Sequence, residues 1–138
     1  LQYKLQFYKE FLLYIQQLKE RSDLPIIFCG DVNTAHHEID LARPQQNINT
    51  SGFMPIERVW LDQFEQAGFI DTFRTIHPKK AEVYSWWDMK TRARSRNVGW
   101  RIDYFFADKK IKKDIKKAAV LTEKEGSDHC PEQLDILL

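Results

Sequence analysis

The sequence predicts a mixed α/β fold built in layers, and three observations predict it. Leu1, Leu5, Tyr8, Phe11, Leu12 and Ile15 recur at helical spacing. A short apolar run at 26–29 follows directly after Pro25 and has the length of a strand. Beyond it, helical and strand-like stretches alternate to the C-terminus, as they do where helices cover sheets.

The first stretch carries Lys4, Lys9, Gln16 and Lys19 on its other faces and is an amphipathic helix ending before Arg21-Ser22-Asp23. Residues 26–29 read as a strand buried on both faces, with Cys29 inside it and Gly30 closing it. Asp31 and Asn33 follow, one residue apart. In extended backbone, residues i and i+2 share a side, so carboxylate and carboxamide would face one cleft. Gly, Asp and Asn are equally the residues of an ordinary turn.

Residues 34–52 are polar with little periodicity and read as an irregular functional or surface loop. His36, His37 and His77 show no ligand-like spacing with one another. Pro55 suits the first turn of a second helix, with Val59, Trp60, Phe64 and Ala67 as its apolar face and Gly68 as its stop. Residues 69–73 form a short apolar segment closed by Pro78. Residues 82–87 and 100–107 read as aromatic-rich strands of a long hairpin around the basic loop 90–99. The lysine-rich 111–119 is a short helix or turn, 118–121 a brief strand, 126–129 a polar turn and 133–138 a terminal strand.

At 138 residues the chain suits one domain. A net charge of +1 announces no global attraction to nucleic acid, although four arginines fall between Arg92 and Arg101. The lysine run at 109–117 reads as a solvated face. Two cysteines make no disulfide or metal framework, which implies reduced thiols in an intracellular protein. No apolar stretch reaches spanning length, so no membrane association is expected. The chain begins at Leu1 inside a helical pattern, as a piece of a longer protein would.

Three features carry chemistry. Asp128-His129 places a hard oxygen ligand beside an imidazole, and the same dipeptide also occurs in solvated turns. Asp103 sits between Ile102 and Tyr104, so its carboxylate needs a buried partner or a cleft. A histidine is its natural partner, and His129 is the candidate. Trp86, Trp87 and Trp100 are core residues or stacking faces beside the arginines Arg92, Arg94, Arg96 and Arg101, which suit phosphates.

Residues 29–33 (Cys-Gly-Asp-Val-Asn), 97–105 (Asn-Val-Gly-Trp-Arg-Ile-Asp-Tyr-Phe) and 127–129 (Ser-Asp-His) resemble the exonuclease III family of apurinic/apyrimidinic endonucleases. That family belongs to the endonuclease/exonuclease/phosphatase superfamily. Residues 37–41 and 69–74 are similar to it as well, so the likeness runs in order along nearly the whole chain. It is a likeness to the C-terminal half of that family's domain. The resemblance implies an α/β fold, the C-terminal half of a four-layered α/β sandwich (DNase I-like). It implies metal-dependent hydrolysis of the DNA phosphodiester 5′ to abasic sites, with trimming of 3′ ends. Mg²⁺ or Mn²⁺ would be the cofactor, and double-stranded DNA containing abasic sites or 3′ ends the substrate. The compartment would be cytoplasm in a bacterium or archaeon and nucleus in a eukaryote.

By the same resemblance, Asp31 would align the attacking water and Asn33 would position it and the phosphate. Asp128, with Asp31 and Asn33, would serve the metal, while His129, oriented by Asp103, would contact the scissile phosphate. Trp86, Trp100 and Ile102 match a pocket for a flipped-out abasic sugar, Asn47 matches a loop position that contacts the DNA backbone, and Arg101, from the basic stretch, is counted with them as a DNA-binding candidate. The family's N-terminal half, with a glutamate metal ligand and a catalytic tyrosine, has no counterpart here. This chain alone is therefore expected to be inactive, its partner being the missing half, and its terminal strand edge would invite a non-native dimer. The alternatives are a superfamily phosphodiesterase or phosphatase acting on lipid or inositol phosphates, and a non-catalytic nucleic-acid-binding remnant.

Overall fold

The helical spacing at the N-terminus yields one long helix, α1 (Gln2–Arg21), in the computed structural model, which describes residues 1–137. Tyr8 and Ile15 are its buried residues, and Leu5, Phe11 and Leu12 pack beside them. Strand β1 (Ile27–Asp31) follows. A 3-10 turn (Glu38–Asp40) and the short helix α2 (Pro44–Asn47) interrupt the expected loop. Helix α3 (Pro55–Gln66) begins where Pro55 predicts, and Glu57 caps it by accepting from the N–H groups of Gly52 and Met54. Gly68 ends it at φ +93°, where a side chain would be strained.

Strand β2 (Phe69–Asp71), helix α4 (Thr72–Ile76), β3 (Trp86–Trp87), β4 (Gly99–Trp100) and β5 (Asp103–Asp108) come next. Strands β6 (Ile115–Val120) and β7 (Glu132–Ile136) close the chain. β5 is the centre of a three-stranded antiparallel sheet in the order β1-β5-β2. Alternation along β5 sends Tyr104 and Phe106 to the side of α1 and α3, where they meet Tyr8, Leu61 and Phe64. It sends Ala107 the other way, into a cluster with Ile115, Leu134 and Ile136 of the β6–β7 pair. Helices, central sheet and second sheet thus form three successive layers.

Several expectations are corrected. β1 is not buried on both faces: Ile27 is 41% exposed and Cys29 is exposed, because β1 is an edge strand and the β6–β7 cluster covers Ala107 and Ile70 instead. Residues 34–52 are only in part a surface loop: Thr34, Ala35, His36, Asp40 and Leu41 are buried, whereas most of 43–51 is exposed. In α3 the buried apolar residues are Leu61 and Phe64, whereas Val59 faces solvent. The hairpin strands are only two residues each, Trp86 opposite Trp100 and Trp87 opposite Gly99. Its loop holds a 3-10 turn (Ala93–Arg96). Within 111–119 a 3-10 helix (Lys109–Asp114) gives way to strand at Ile115. The terminal strand pairs with β6 and packs Leu134 and Ile136 inward, so its apolar face is covered. Leu138 lies outside the described residues.

Candidate active site

β1 and β5 are paired so that Asp31 lies opposite Asp103 at the end of the sheet. Directly opposed residues share a face, so alternation places both carboxylates on the side away from α1. Asp31 and Asn33 meet, though not by strand alternation. Asn33 is left-handed at φ +53°, and its backbone N–H donates to Asp31 Oδ1 at 2.7 Å while its Nδ2 donates to Oδ2 at 3.0 Å. The turn chemistry of Asp and Asn therefore builds the pair. Partial burial raises the Asp31 carboxyl above its usual range; the Asn33 N–H opposes that and the neighbouring Asp103 charge adds to it.

His129 Nδ1 lies 2.8 Å from Asp103 Oδ2. Ser85, fully buried, holds Asp103 from behind: its hydroxyl accepts from the N–H groups of Ile102 at 3.0 Å and Asp103 at 3.1 Å. On the other side, His129 forms a β-bridge to Trp86, and the Trp87 N–H donates to the Asp128 carbonyl at 3.0 Å. The Trp86 indole N–H donates to Asp128 Oδ2 at 3.1 Å and lowers that carboxyl. Arg94 caps the Ser127 and Thr122 carbonyls at 3.1 and 2.9 Å, and that of Lys124, pinning the 126–129 turn.

A cavity of about 580 Å³ opens beside this cluster, with Asn33, Asn47, Trp86, Trp100, Ile102 and His129 among its walls. Asn47 is held in it by donating to the Arg43 carbonyl at 3.0 Å. A groove of about 650 Å³ between α1 and β1 shares Asn33 and adds Asp31 and Tyr3. Tyr3, 85% exposed, lines the same groove. The sequence reading missed Ser85, for which no local signal exists.

Arg101 does not face DNA. It is 0% exposed, donating to Asp40 Oδ1 at 2.9 Å and Asp71 Oδ2 at 2.6 Å, with its guanidinium 4.5 Å from the Tyr104 ring. Arg74 joins from the far side of Asp40. Burial alone would raise Asp40, but Arg101 and Arg74 hold it below the usual carboxylate range. The signal was present: Asp40 and Asp71 each sit among apolar neighbours, where a charge needs a partner. Arg92 and Arg96 remain exposed near the hairpin tip.

The donors near the cleft suit a hard divalent ion. Asp31 and Asp128 offer carboxylate oxygens, and Asn33, which turns its Nδ2 toward Asp31, leaves its amide oxygen as an acceptor. No described helix is long and apolar enough to cross a membrane.

Fold and site define an endonuclease/exonuclease/phosphatase-type domain: residues 2–129 match the Endonuclease/Exonuclease/phosphatase family, and the chain belongs to it. Within that family it is 44% identical to an exodeoxyribonuclease of Bacillus subtilis (strain 168) over 97% of this chain and 52% of the relative. It is 40% identical to the DNA repair nuclease APEX1 of Danio rerio over 95% of this chain and 42% of the relative. The structure of an AP endonuclease from Archaeoglobus fulgidus superposes with a TM-score of 0.88 at 27% identity, over 99% of this chain and 55% of that one. The chain spans about half the length of the curated relatives it matches.

Proposed function

We propose that this chain is the C-terminal part of a DNA-repair nuclease. Its reaction is hydrolysis of the phosphodiester 5′ to abasic sites, with trimming of 3′ ends, on double-stranded DNA. The observation that carries this reading is the Asp103–His129 pair at 2.8 Å, set beside Asp31–Asn33 at the mouth of a tryptophan-walled cavity.

Asp103 accepts from His129 Nδ1, which leaves Nε2 to meet a phosphate oxygen as negative charge develops. Asp31, with its proton affinity raised, aligns a water and takes its proton, while the Asn33 amide fixes that water's orientation. Tyr3 adds a hydroxyl from the groove side. Trp86, Trp100 and Ile102 offer apolar and π surface, which suits an extruded sugar lacking its base better than an inositol ring. Bound Mg²⁺ or Mn²⁺, held by Asp128 with Asp31 and Asn33, would neutralise phosphate charge. The upstream half of the protein completes the site, and the isolated chain is expected to be inactive.

The test joins this chain to the upstream half of the Bacillus subtilis relative. The fusion should nick an abasic duplex in Mg²⁺, and Asp31→Asn or His129→Gln should each slow it about 10²-fold or more. A folded fusion that hydrolyses an inositol phosphate but leaves abasic DNA intact refutes the proposal.

A further inference from the structure

Away from the cleft, His36 stands out as a buried imidazole to which the proposed reaction gives no task. Its side chain is 1% exposed, and its backbone N–H donates to the Tyr104 hydroxyl at 3.1 Å. Nε2 lies 2.7 Å from Asp62 Oδ1, and Nδ1 has no hydrogen-bond partner among the described residues. Either neutral tautomer leaves something unmet. With the proton on Nε2, the Nδ1 lone pair is buried and unpaired; with it on Nδ1, a lone pair faces a carboxylate with nothing between them. A cation among these atoms removes the facing lone pairs and leaves the buried Nδ1 N–H as the one group without a partner.

Glu65 lies three residues beyond Asp62, on the same face of α3. The ligand atoms of His36, Asp62 and Glu65 all fall within 4.8 Å of one another. A cavity of about 190 Å³, walled by His36, Arg58 and Asp62, opens at the same place. None of the three lines the cavity beside His129 or the groove beside Asp31.

We propose that His36, Asp62 and Glu65 form a second divalent-metal site, distinct from the cleft, that takes a borderline transition-metal ion such as Zn²⁺. One imidazole and two carboxylates match the ligand types of that ion, and their two negative charges balance its two positive ones. Zn–N and Zn–O distances of about 2.0–2.2 Å require the three atoms to draw somewhat closer. Glu65, exposed and long, supplies that movement. Arg58 is the opposing cation. Its Nε is committed to the His36 carbonyl at 2.7 Å and its guanidinium lies 4.3 Å from the Phe53 ring. An ion so placed would clamp α3 to the buried segment that continues from Asn33, giving the site a structural role.

The experiment titrates the purified chain with Zn²⁺ by calorimetry and with Co²⁺ by visible absorption. The wild type should bind one equivalent saturably, show cobalt d–d bands and melt at a higher temperature with Zn²⁺. Asp62→Asn with Glu65→Gln, both on the helix surface, should weaken binding about tenfold or more while leaving the circular dichroism unchanged. Asp31→Asn with Asp128→Asn should keep it. Absence of saturable binding in the wild type overturns the proposal, as does loss of binding in the Asp31/Asp128 pair with retention in the Asp62/Glu65 pair.

Discussion

Replacing Arg101 by methionine should unfold much of what the hairpin stands on. Arg101 is buried between Asp40 and Asp71, which are themselves 0% and 3% exposed. Arg74 still reaches Asp40 in the variant, so Asp71 becomes the carboxylate without its cation. Breaking a buried pair by removing one partner costs about 3–5 kcal/mol, a large share of a typical 5–15 kcal/mol domain stability. Urea denaturation at neutral pH measures it. Asp40 is depressed in the folded state, so its contribution is present above the ordinary carboxylate pKa of about 4 and is lost as pH falls through the folded value. The gap between wild type and Arg101→Met should therefore narrow toward acid. A variant within about 0.5 kcal/mol of wild type, but with weaker DNA binding and a shallower salt dependence, would refute the buried-network assignment and restore a phosphate contact.

Gly99→Ala should destabilise by about 1–3 kcal/mol. The new Cβ would stand 2.5 Å from Trp87 Nε1 and 2.7 Å from Tyr84 Cβ, and an unchanged urea midpoint would contradict that crowding. In the fusion enzyme, Trp100→Ala should cost about 1–3 kcal/mol of preference for abasic over undamaged duplex; equal losses on both would remove Trp100 from the pocket. Burial pushes the Glu132 carboxyl up to about 8, with Arg101 opposing. Its stabilising contribution is complete below the unfolded carboxylate pKa and is lost as pH rises through about 8. Glu132→Gln should thus gain on wild type in alkaline melts and differ little in acid, and parallel stability–pH curves would refute this.

Much of the site was legible locally. The Pro-initiated, Gly-terminated α3 and the amphipathic α1 follow from spacing and cap chemistry, which act within a few residues. The need of Asp103 for a partner was visible from its apolar neighbours, and the histidine it meets is the one the sequence nominated. Three dispersed motifs supplied the family. What local pattern could not supply is which charges and which strand faces are covered. Cys29 sits in an apolar run yet is exposed, because coverage depends on a second sheet whose strands begin at Ile115. Arg101 lies in a basic stretch yet is buried, because its carboxylates come from Asp40 and Asp71, 61 and 30 residues away. Ser85 reaches Asp103 only once β3 pairs with β4. Periodicity and turn preference are short-range properties of the backbone, whereas desolvation depends on every group that packs around an atom, and only the tertiary fold brings those groups together.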